Sequence, residues 1–181
     1  MLPDYAELHC LSNFSFLRGA SHAKELVERA HALGYQALAI TDECSLAGIV
    51  RAHTAAKEYG LKLIVGSEVA LDDGLRLVLL APNHAAYADL SELITTARRQ
   101  ADKGNYQLSR DELVRFSRNL LALWLPPAEP SLDDAAWLRW TFADRIWVAV
   151  ELLMAQGDRQ RLARLEALSR WPRAGCLDLR P

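Results

Sequence analysis

The sequence has few cysteines, no long apolar run and little net charge, and each shortage excludes a class of protein. Its three cysteines, Cys10, Cys44 and Cys176, show no CxxC spacing. This favours a reducing compartment and argues against a disulfide framework or a zinc finger. No uncharged apolar run approaches the roughly 18 residues of a membrane span, and the N-terminus lacks the basic and then apolar layout of a signal peptide. We therefore expect a cytoplasmic protein with no membrane partner.

The net charge of −2 over 181 residues is too small to predict a nucleic-acid partner, but it is unevenly distributed. Residues 1–95 contain 7 basic and 12 acidic residues, whereas residues 96–181 contain 14 and 11. A mildly basic second half permits a polyanionic neighbour without identifying one, because solvated Arg-rich helices have the same composition. Hydrophobic content of 51% and charged content of 24% are ordinary for a soluble globular chain of one domain.

Strand-length apolar runs alternate with segments of helical period, which predicts an α/β fold. The predicted strands cover residues 4–11, 36–41, 61–71, 75–81, 120–125 and 145–152. The predicted helices cover residues 23–33, 46–59, 84–99, 109–118, 131–142 and 157–170. The short turn at 72–74 predicts that the third and fourth strands pair as a hairpin. Ser21 is the predicted N-cap of the first helix.

Polar side chains stand near the carboxyl ends of several predicted strands, where parallel α/β proteins bind their ligands. They are His9, Asp42, Glu43, Glu68 and Glu151. One imidazole with several carboxylates is the donor set of a divalent cation, which could hold a phosphate ester and activate water. We therefore expect these side chains to share one pocket.

Four of these five residues also have a structural explanation. Asp42 could cap the next helix, His9 could be a hydrogen-bonded core histidine, Glu68 could cap a turn, and Glu151 could pair with an arginine. The remaining histidines fall on predicted helices or their first residues, where we expect exposed side chains. They are His22, His31, His53 and His84.

Two groups of large apolar residues are predicted to be buried. Phe14, Phe16 and Leu17 lie in the polar loop after the first strand, and we expect them to fold back onto the core. Trp137 and Trp140 are three residues apart and therefore share a helix face, which favours a core position over a binding platform.

Four segments resemble the PHP (polymerase and histidinol phosphatase) domain of bacterial C-family DNA polymerases. More narrowly, FSFLRGASH and AITDECSLAG resemble the error-prone branch, which is related to the polymerase III alpha subunit and acts in damage-induced mutagenesis and lesion bypass. The resemblance extends from about residue 5 to about residue 170. The four segments are residues 6–12, 14–21, 39–48 and 66–68.

The resemblance implies an irregular (β/α)7 barrel with a metal cluster at its carboxyl rim, but an incomplete set of ligands. His9, Asp42 and Glu68 match family ligands. Leu11 stands where the family has a second histidine, and Glu43 replaces the histidine of an Asp-His pair. Arg76 stands in place of a further histidine and would bring positive charge to the same pocket as Glu151.

The last two family ligands come from a Gly-Asp-x-His segment, whereas this sequence ends in WPRAGCLDLRP. We therefore expect a PHP domain at residues 1–170 followed by a divergent tail at 171–181, the whole being an N-terminal fragment. Ligand losses of this kind lower metal affinity steeply. We expect no cofactor, or at most weak binding of Mn, Zn or Mg.

These features predict a structural module of an error-prone, damage-inducible translesion polymerase. In the family, DNA-directed DNA synthesis takes place in a separate domain, so we expect this fragment alone to be inactive. The expected partners are the rest of the polymerase polypeptide, DNA and mutagenesis accessory proteins. Two alternatives remain: a free-standing metal-dependent phosphoesterase of the histidinol-phosphatase type that uses His9, Asp42, Glu43 and Glu68, and a non-catalytic interaction module.

Overall fold

The computed structural model describes residues 4–152, 154 and 156–169. These residues form one six-stranded sheet whose strands lie side by side in chain order, so that the first and last strands are its edges. β1, β2 and β3 run parallel, β4 runs antiparallel to both neighbours, and β6 runs parallel to β5. The strands are β1 (Ala6–Cys10), β2 (Ala37–Ile40), β3 (Lys62–Ala70), β4 (Arg76–Ala81), β5 (Leu121–Trp124) and β6 (Ile146–Val148). The α/β class and the hairpin of β3 with β4 are thus confirmed.

Within the described residues, six α-helices connect or follow these strands, and several have clear end signals. Gly60, with a φ of 67°, ends α2 in the left-handed conformation that glycine adopts most easily. The side chains of Asn83 and Ser109 cap α3 and α4 by accepting from the third backbone N–H beyond them. The helices are α1 (Ala23–Ala32), α2 (Ile49–Tyr59), α3 (His84–Arg99), α4 (Arg110–Phe116), α5 (Leu132–Phe142) and α6 (Asp158–Ser169), with a 3₁₀ turn at Ser117–Asn119.

The helices cover one face of the sheet in two groups. α1 and α2 pack around Val27, Leu38 and Ile40, all of which are almost fully buried. α3, α4 and α5 pack around a larger cluster that includes Leu77 and Leu79 of β4. Burial of this apolar area is the main force that holds the layers together.

The other face of the sheet surrounds a cavity of about 1080 Å³. Alternate residues of β4, such as Val78 and Leu80, point to this side and form a small cluster with Ala39. The residues at 77–80 are therefore buried on both faces, as the continuous apolar run predicted. The lining of the cavity includes His9 and Glu151, so the cavity extends to the carboxyl rim.

The prediction that the apolar residues of the β1–α1 loop fold onto the core is wrong. Phe16 and Leu17 are 84% and 92% exposed, and Phe14 is 38% exposed. Hydrogen bonds that fix the polar residues on either side turn this loop outward. Trp140 is also exposed, so the prediction of a core position is wrong for this residue. Only Trp137 of the pair packs against the core.

Several element boundaries differ from the predictions. α2 begins at Ile49, three residues later than expected, because residues 43–48 form a turn that returns the chain to β3. His22, and not Ser21, is the N-cap of α1, and its backbone N–H donates to Glu25 at 2.8 Å. β6 keeps only three of its eight predicted residues, so Glu151 lies beyond the strand.

The remaining sequence expectations concern exposure and the chain end. The four helix histidines predicted to be exposed are all exposed. Among the described residues, no helix combines the length and the apolar composition that crossing a bilayer requires. The predicted boundary at 170 and the predicted tail at 171–181 lie outside the described residues.

Candidate functional site

The fold brings charged side chains from six places in the sequence to one rim. β1 and β3 run parallel, so His9 and Glu68 both lie toward their carboxyl ends. β4 runs in the opposite direction, which brings its first residue, Arg76, to the same rim. Glu43 follows β2 and forms an isolated bridge with Glu68. We call His9, Arg18, Glu43, Glu68, Arg76 and Glu151 the rim cluster.

Glu68 is the centre of the rim cluster and is only 1% exposed. Its Oε2 accepts from Nε2 of His9 at 2.8 Å and from Nη2 of Arg18 at 2.9 Å. Its Oε1 accepts from Nη1 of Arg18 at 3.0 Å and from Nη2 of Arg76. Burial by itself would raise the pKa of this carboxyl, but the hydrogen bonds from His9, Arg18 and Arg76 outweigh it and lower the pKa to about 2.

His9 joins two carboxylates that are 83 residues apart in sequence. Its Nδ1 lies 2.7 Å from Oε1 of Glu151, and its Nε2 contacts Glu68. Burial would lower the pKa of His9, but the hydrogen bonds with Glu68 and Glu151 raise it above 6.5. When protonated, the ring donates through both nitrogens, and the three positive and three negative charges of the rim cluster then balance.

Glu43 is held by a cation and a phenol. Its Oε2 accepts from Nη1 of Arg18 at 2.7 Å, and its Oε1 accepts from the hydroxyl of Tyr106 at 3.1 Å. The same hydroxyl accepts from the backbone N–H of Ala70 at 2.9 Å. Burial raises the pKa of Tyr106, so the phenol stays neutral and remains a donor.

Asp42 is the predicted ligand that the structure does not bring into the rim cluster. It is 1% exposed and faces the β1–α1 loop. Its Oδ1 accepts from the Ser12 N–H at 2.8 Å and from the Ser15 hydroxyl at 2.7 Å, and its Oδ2 accepts from the Ser12 hydroxyl at 2.6 Å. The alternative that it caps the next helix is wrong, because Gly48 is the N-cap of α2.

Four residues that shape this site were not predicted from the sequence: Arg18, Tyr106, Ser12 and Ser15. One feature of the sequence could have indicated the role of Arg18, because it is the only charged residue of the loop at 12–20 and lies within FSFLRGASH. No such feature indicated the role of Tyr106, since it reaches Glu43 from a connection 63 residues away. Of the two residues predicted to add to the pocket, Glu151 contacts His9 and lines the cavity, and Arg76 contacts Glu68.

The donor set does not fit a divalent cation in this arrangement. Both oxygens of Glu68 already accept from cationic donors, and a metal ion beside them would be repelled by Arg18 and Arg76. In the part of the chain that the structure describes, no three His, Cys, Asp or Glu side chains are grouped so that they could hold a metal. Coordination by His9, Asp42, Glu43 and Glu68 therefore stays a prediction from sequence.

The raised pKa of His9 predicts a pH dependence of stability. A group whose pKa rises on folding contributes its full stabilisation below its unfolded pKa, here 6.5, and loses it as the pH rises through the folded value. We expect the free energy of unfolding to fall as the pH rises from about 6.5 through the higher folded-state pKa of His9. Urea unfolding at pH values below and above 6.5 measures this decrease in the free energy of unfolding.

His9→Gln is expected to reduce this pH slope, whereas the matched control His53→Gln, on the exposed face of α2, is expected to leave it unchanged. Equal slopes in the wild type and in His9→Gln would show that the imidazole does not stabilise the fold through its charge.

The family of the chain follows from comparison with known proteins. A family model described as the PHP domain matches residues 7–151, about four fifths of the chain. The chain belongs to the PHP domain family.

The similarity of the PHP fold extends to solved structures. A metal-dependent phosphoesterase from Bifidobacterium adolescentis shares 17% identity with a TM-score of 0.63, over 93% of this chain and 85% of that one. An amidohydrolase from Chromobacterium violaceum shares 18% identity with a TM-score of 0.59, over 88% and 82%.

These structural matches concern the fold alone, and they confirm the expected PHP type. The described residues supply six strands of a curled sheet, which is part of the barrel that the family resemblance implied.

This chain is more similar in sequence to several curated proteins than to these solved structures. It is 58% identical over 172 residues to an error-prone DNA polymerase of Dechloromonas aromatica and 56% identical over 178 residues to one of Pseudomonas aeruginosa. These alignments cover 92% and 97% of this chain. The chain spans only 17% of the length of each relative.

Proposed function

We propose that this chain is the PHP domain of an error-prone DNA polymerase and that it serves there as a structural module. Its identity of 58% to the polymerase of Dechloromonas aromatica supports the first part. The observation that carries the second part is the pairing of Arg18 and Arg76 with Glu68. Two guanidinium groups supply, at the centre of the rim, the positive charge that a metal would otherwise bring.

The rim cluster stabilises the domain in this proposal and performs no chemical step. Glu68 accepts hydrogen bonds from β1, from the β1–α1 loop and from β4, so one buried carboxylate ties three segments together. Charge-assisted hydrogen bonds of this kind are about twice as strong as neutral ones. DNA-directed DNA synthesis belongs to the part of the polymerase that lies outside this chain.

Finer parts of the proposal rest on the same relationship. We assign the whole polymerase to translesion synthesis during DNA damage and repair in the cytoplasm. Its partners are then the rest of its own polypeptide, DNA and accessory proteins. Their support is the similarity of the chain to error-prone DNA polymerases and the resemblance of FSFLRGASH and AITDECSLAG to the error-prone branch.

The test of the structural role is metal binding. Purified protein equilibrated with Mn²⁺, Zn²⁺ or Mg²⁺ and freed of unbound ions is expected to retain less than about 0.1 equivalent of metal, because every oxygen of Glu68 is already engaged. Elemental analysis measures this. Arg76→His, which removes one guanidinium and adds a donor, is expected to raise retention of Zn²⁺; Arg99→His, in the last turn of α3, is its control.

A stoichiometric metal in the wild type would instead favour the alternative, a metal-dependent phosphoesterase. The fold similarity to the Bifidobacterium protein and the contact between His9 and Glu68 are the observations that favour it. That function requires Mn²⁺-dependent hydrolysis of p-nitrophenyl phosphate that is lost in His9→Ala. Hydrolysis that survives His9→Ala would point to a contaminant.

A further inference from the structure

The β1–α1 loop carries two large apolar side chains into solvent. Phe16 and Leu17, which we call the apolar tip, are 84% and 92% exposed within the part of the chain that the structure describes. Leu17 has a φ of 62°, a region that L-residues with large side chains rarely adopt. A leucine therefore occupies a position where it contributes little to the core and where its backbone is strained.

The loop that presents the apolar tip is held on both sides. Before the tip, Ser12 and Ser15 are hydrogen-bonded to the buried Asp42. After the tip, Arg18 is paired with Glu43 and Glu68, and the N–H of Gly19 donates to the Ser15 carbonyl at 2.9 Å.

Gly19 allows the two ends of the loop to come together. A Cβ at this position would lie 2.0 Å from the carbonyl oxygen of Ser12. The tip is thus preorganised, and little conformational entropy is lost when it is buried by a partner.

The surroundings of the tip fit a protein surface better than nucleic acid. Binding to DNA or RNA depends on free Lys and Arg side chains that neutralise phosphates. The arginine next to the tip, Arg18, is already paired with two carboxylates, and residues 1–95 carry more acidic than basic groups. An aromatic and an aliphatic side chain side by side are typical of an anchor that fills an apolar pocket of a protein.

We propose that the apolar tip docks this domain onto the remainder of the polymerase polypeptide. This inference rests on the proposed function. Five sixths of the length of the curated relatives lies outside the part that this chain matches, so a large protein surface is available in the same molecule. Two side chains bury far less than the roughly 1,200 Å² of a stable interface between separate chains. A covalent connection removes that requirement, because it raises the effective concentration to about the millimolar range.

The experiment compares this chain alone with a chimera in which it replaces the matching segment of the Dechloromonas aromatica polymerase. Leu17→Cys is introduced into both proteins, and the rate of maleimide labelling at residue 17 is read by peptide mass spectrometry. Trp140→Cys is the matched control, since Trp140 is an exposed aromatic of α5. We expect labelling at residue 17 to be about tenfold slower in the chimera than in the isolated chain, and labelling at residue 140 to differ little.

DNA synthesis by a chimera with the unmodified chain separates the two proposals. Synthesis with unchanged labelling at residue 17 overturns the docking contact and leaves the proposed function intact. Slower labelling without synthesis supports docking and contradicts the proposed function. Unchanged labelling at residue 17 together with an absence of DNA synthesis contradicts both proposals.

A second variant tests the same contact without a label. Leu17→Asn replaces leucine with a residue that tolerates positive φ. In the isolated chain it is expected to raise the melting temperature by one or two degrees, about the size of a small relief of strain. In the chimera it is expected to lower the melting temperature of the same domain. A change in the same direction in both proteins would show that Leu17 makes no contact with the remainder of the polymerase.

Discussion

Glu68→Gln is expected to lower the free energy of unfolding by about 3 kcal/mol, which is a large part of the stability of a single domain. The carboxylate is 1% exposed, and its loss leaves His9, Arg18 and Arg76 without the anion that they share. The depression of its pKa from 4.5 to about 2 gives the same magnitude, since each unit corresponds to roughly 1.4 kcal/mol. Urea unfolding at pH 7 followed by circular dichroism measures the difference.

Glu58→Gln is the matched control, because Glu58 lies on the exposed side of α2. It is expected to change the free energy of unfolding by less than about 0.5 kcal/mol. Adding Arg76→Leu to Glu68→Gln removes one of the unpaired cations and should recover part of the loss. If Glu68→Gln were as stable as the wild type, the cations of the rim cluster would be hydrated independently and would not depend on a shared anion.

Asp42→Ala is expected to have a similarly large effect, a loss of about 3 kcal/mol in the free energy of unfolding. It leaves the Ser12 N–H and the hydroxyls of Ser12 and Ser15 without their acceptor in a buried position. The damage should be concentrated in the β1–α1 loop, because the hydrogen bonds that anchor Ser12 and Ser15 end on this carboxylate. Hydrogen exchange is expected to become faster at residues 12–19 than in β4.

Asp144→Ala, in the exposed turn between α5 and β6, is the control for this substitution. It is expected to preserve both the melting temperature and the exchange rates of the loop. An Asp42→Ala protein in which the loop exchanges as slowly as in the wild type would show that the hydrogen bonds to Asp42 do not hold the loop.

Much of the fold could be predicted from the sequence because its signals are local. The run at 77–80 is buried on both faces, as its continuous apolar character required. Gly60 ends α2 and the turn at 72–74 forms a hairpin, since both depend on backbone preferences of a few residues. β6 was predicted too long because Ala149, Val150 and Leu152 favour a strand by composition alone.

The candidate site was predictable in position but not in chemistry. Strand direction placed His9 and Glu68 at one rim, and the sequence pattern was sufficient for that. The pattern could not show that Asp42 turns toward Ser12 and Ser15, because Asp42 and Glu43 are neighbours that point to different sides of the same chain. The role of Arg18 was missed because its partner Glu68 is 50 residues away in the sequence.

The sequence by itself therefore determined the α/β alternation, the rim at which the charged residues gather and the membership of the PHP domain family, since these depend on periodicity and on ordered motifs. Only the tertiary structure decided what the gathered charges do. The pairing of β3 with β4 brings Arg76, and the anchored β1–α1 loop brings Arg18, within hydrogen-bonding distance of Glu68, so that guanidinium groups neutralise the buried carboxylate. Such pairing depends on distances between residues far apart in sequence, which no local pattern encodes.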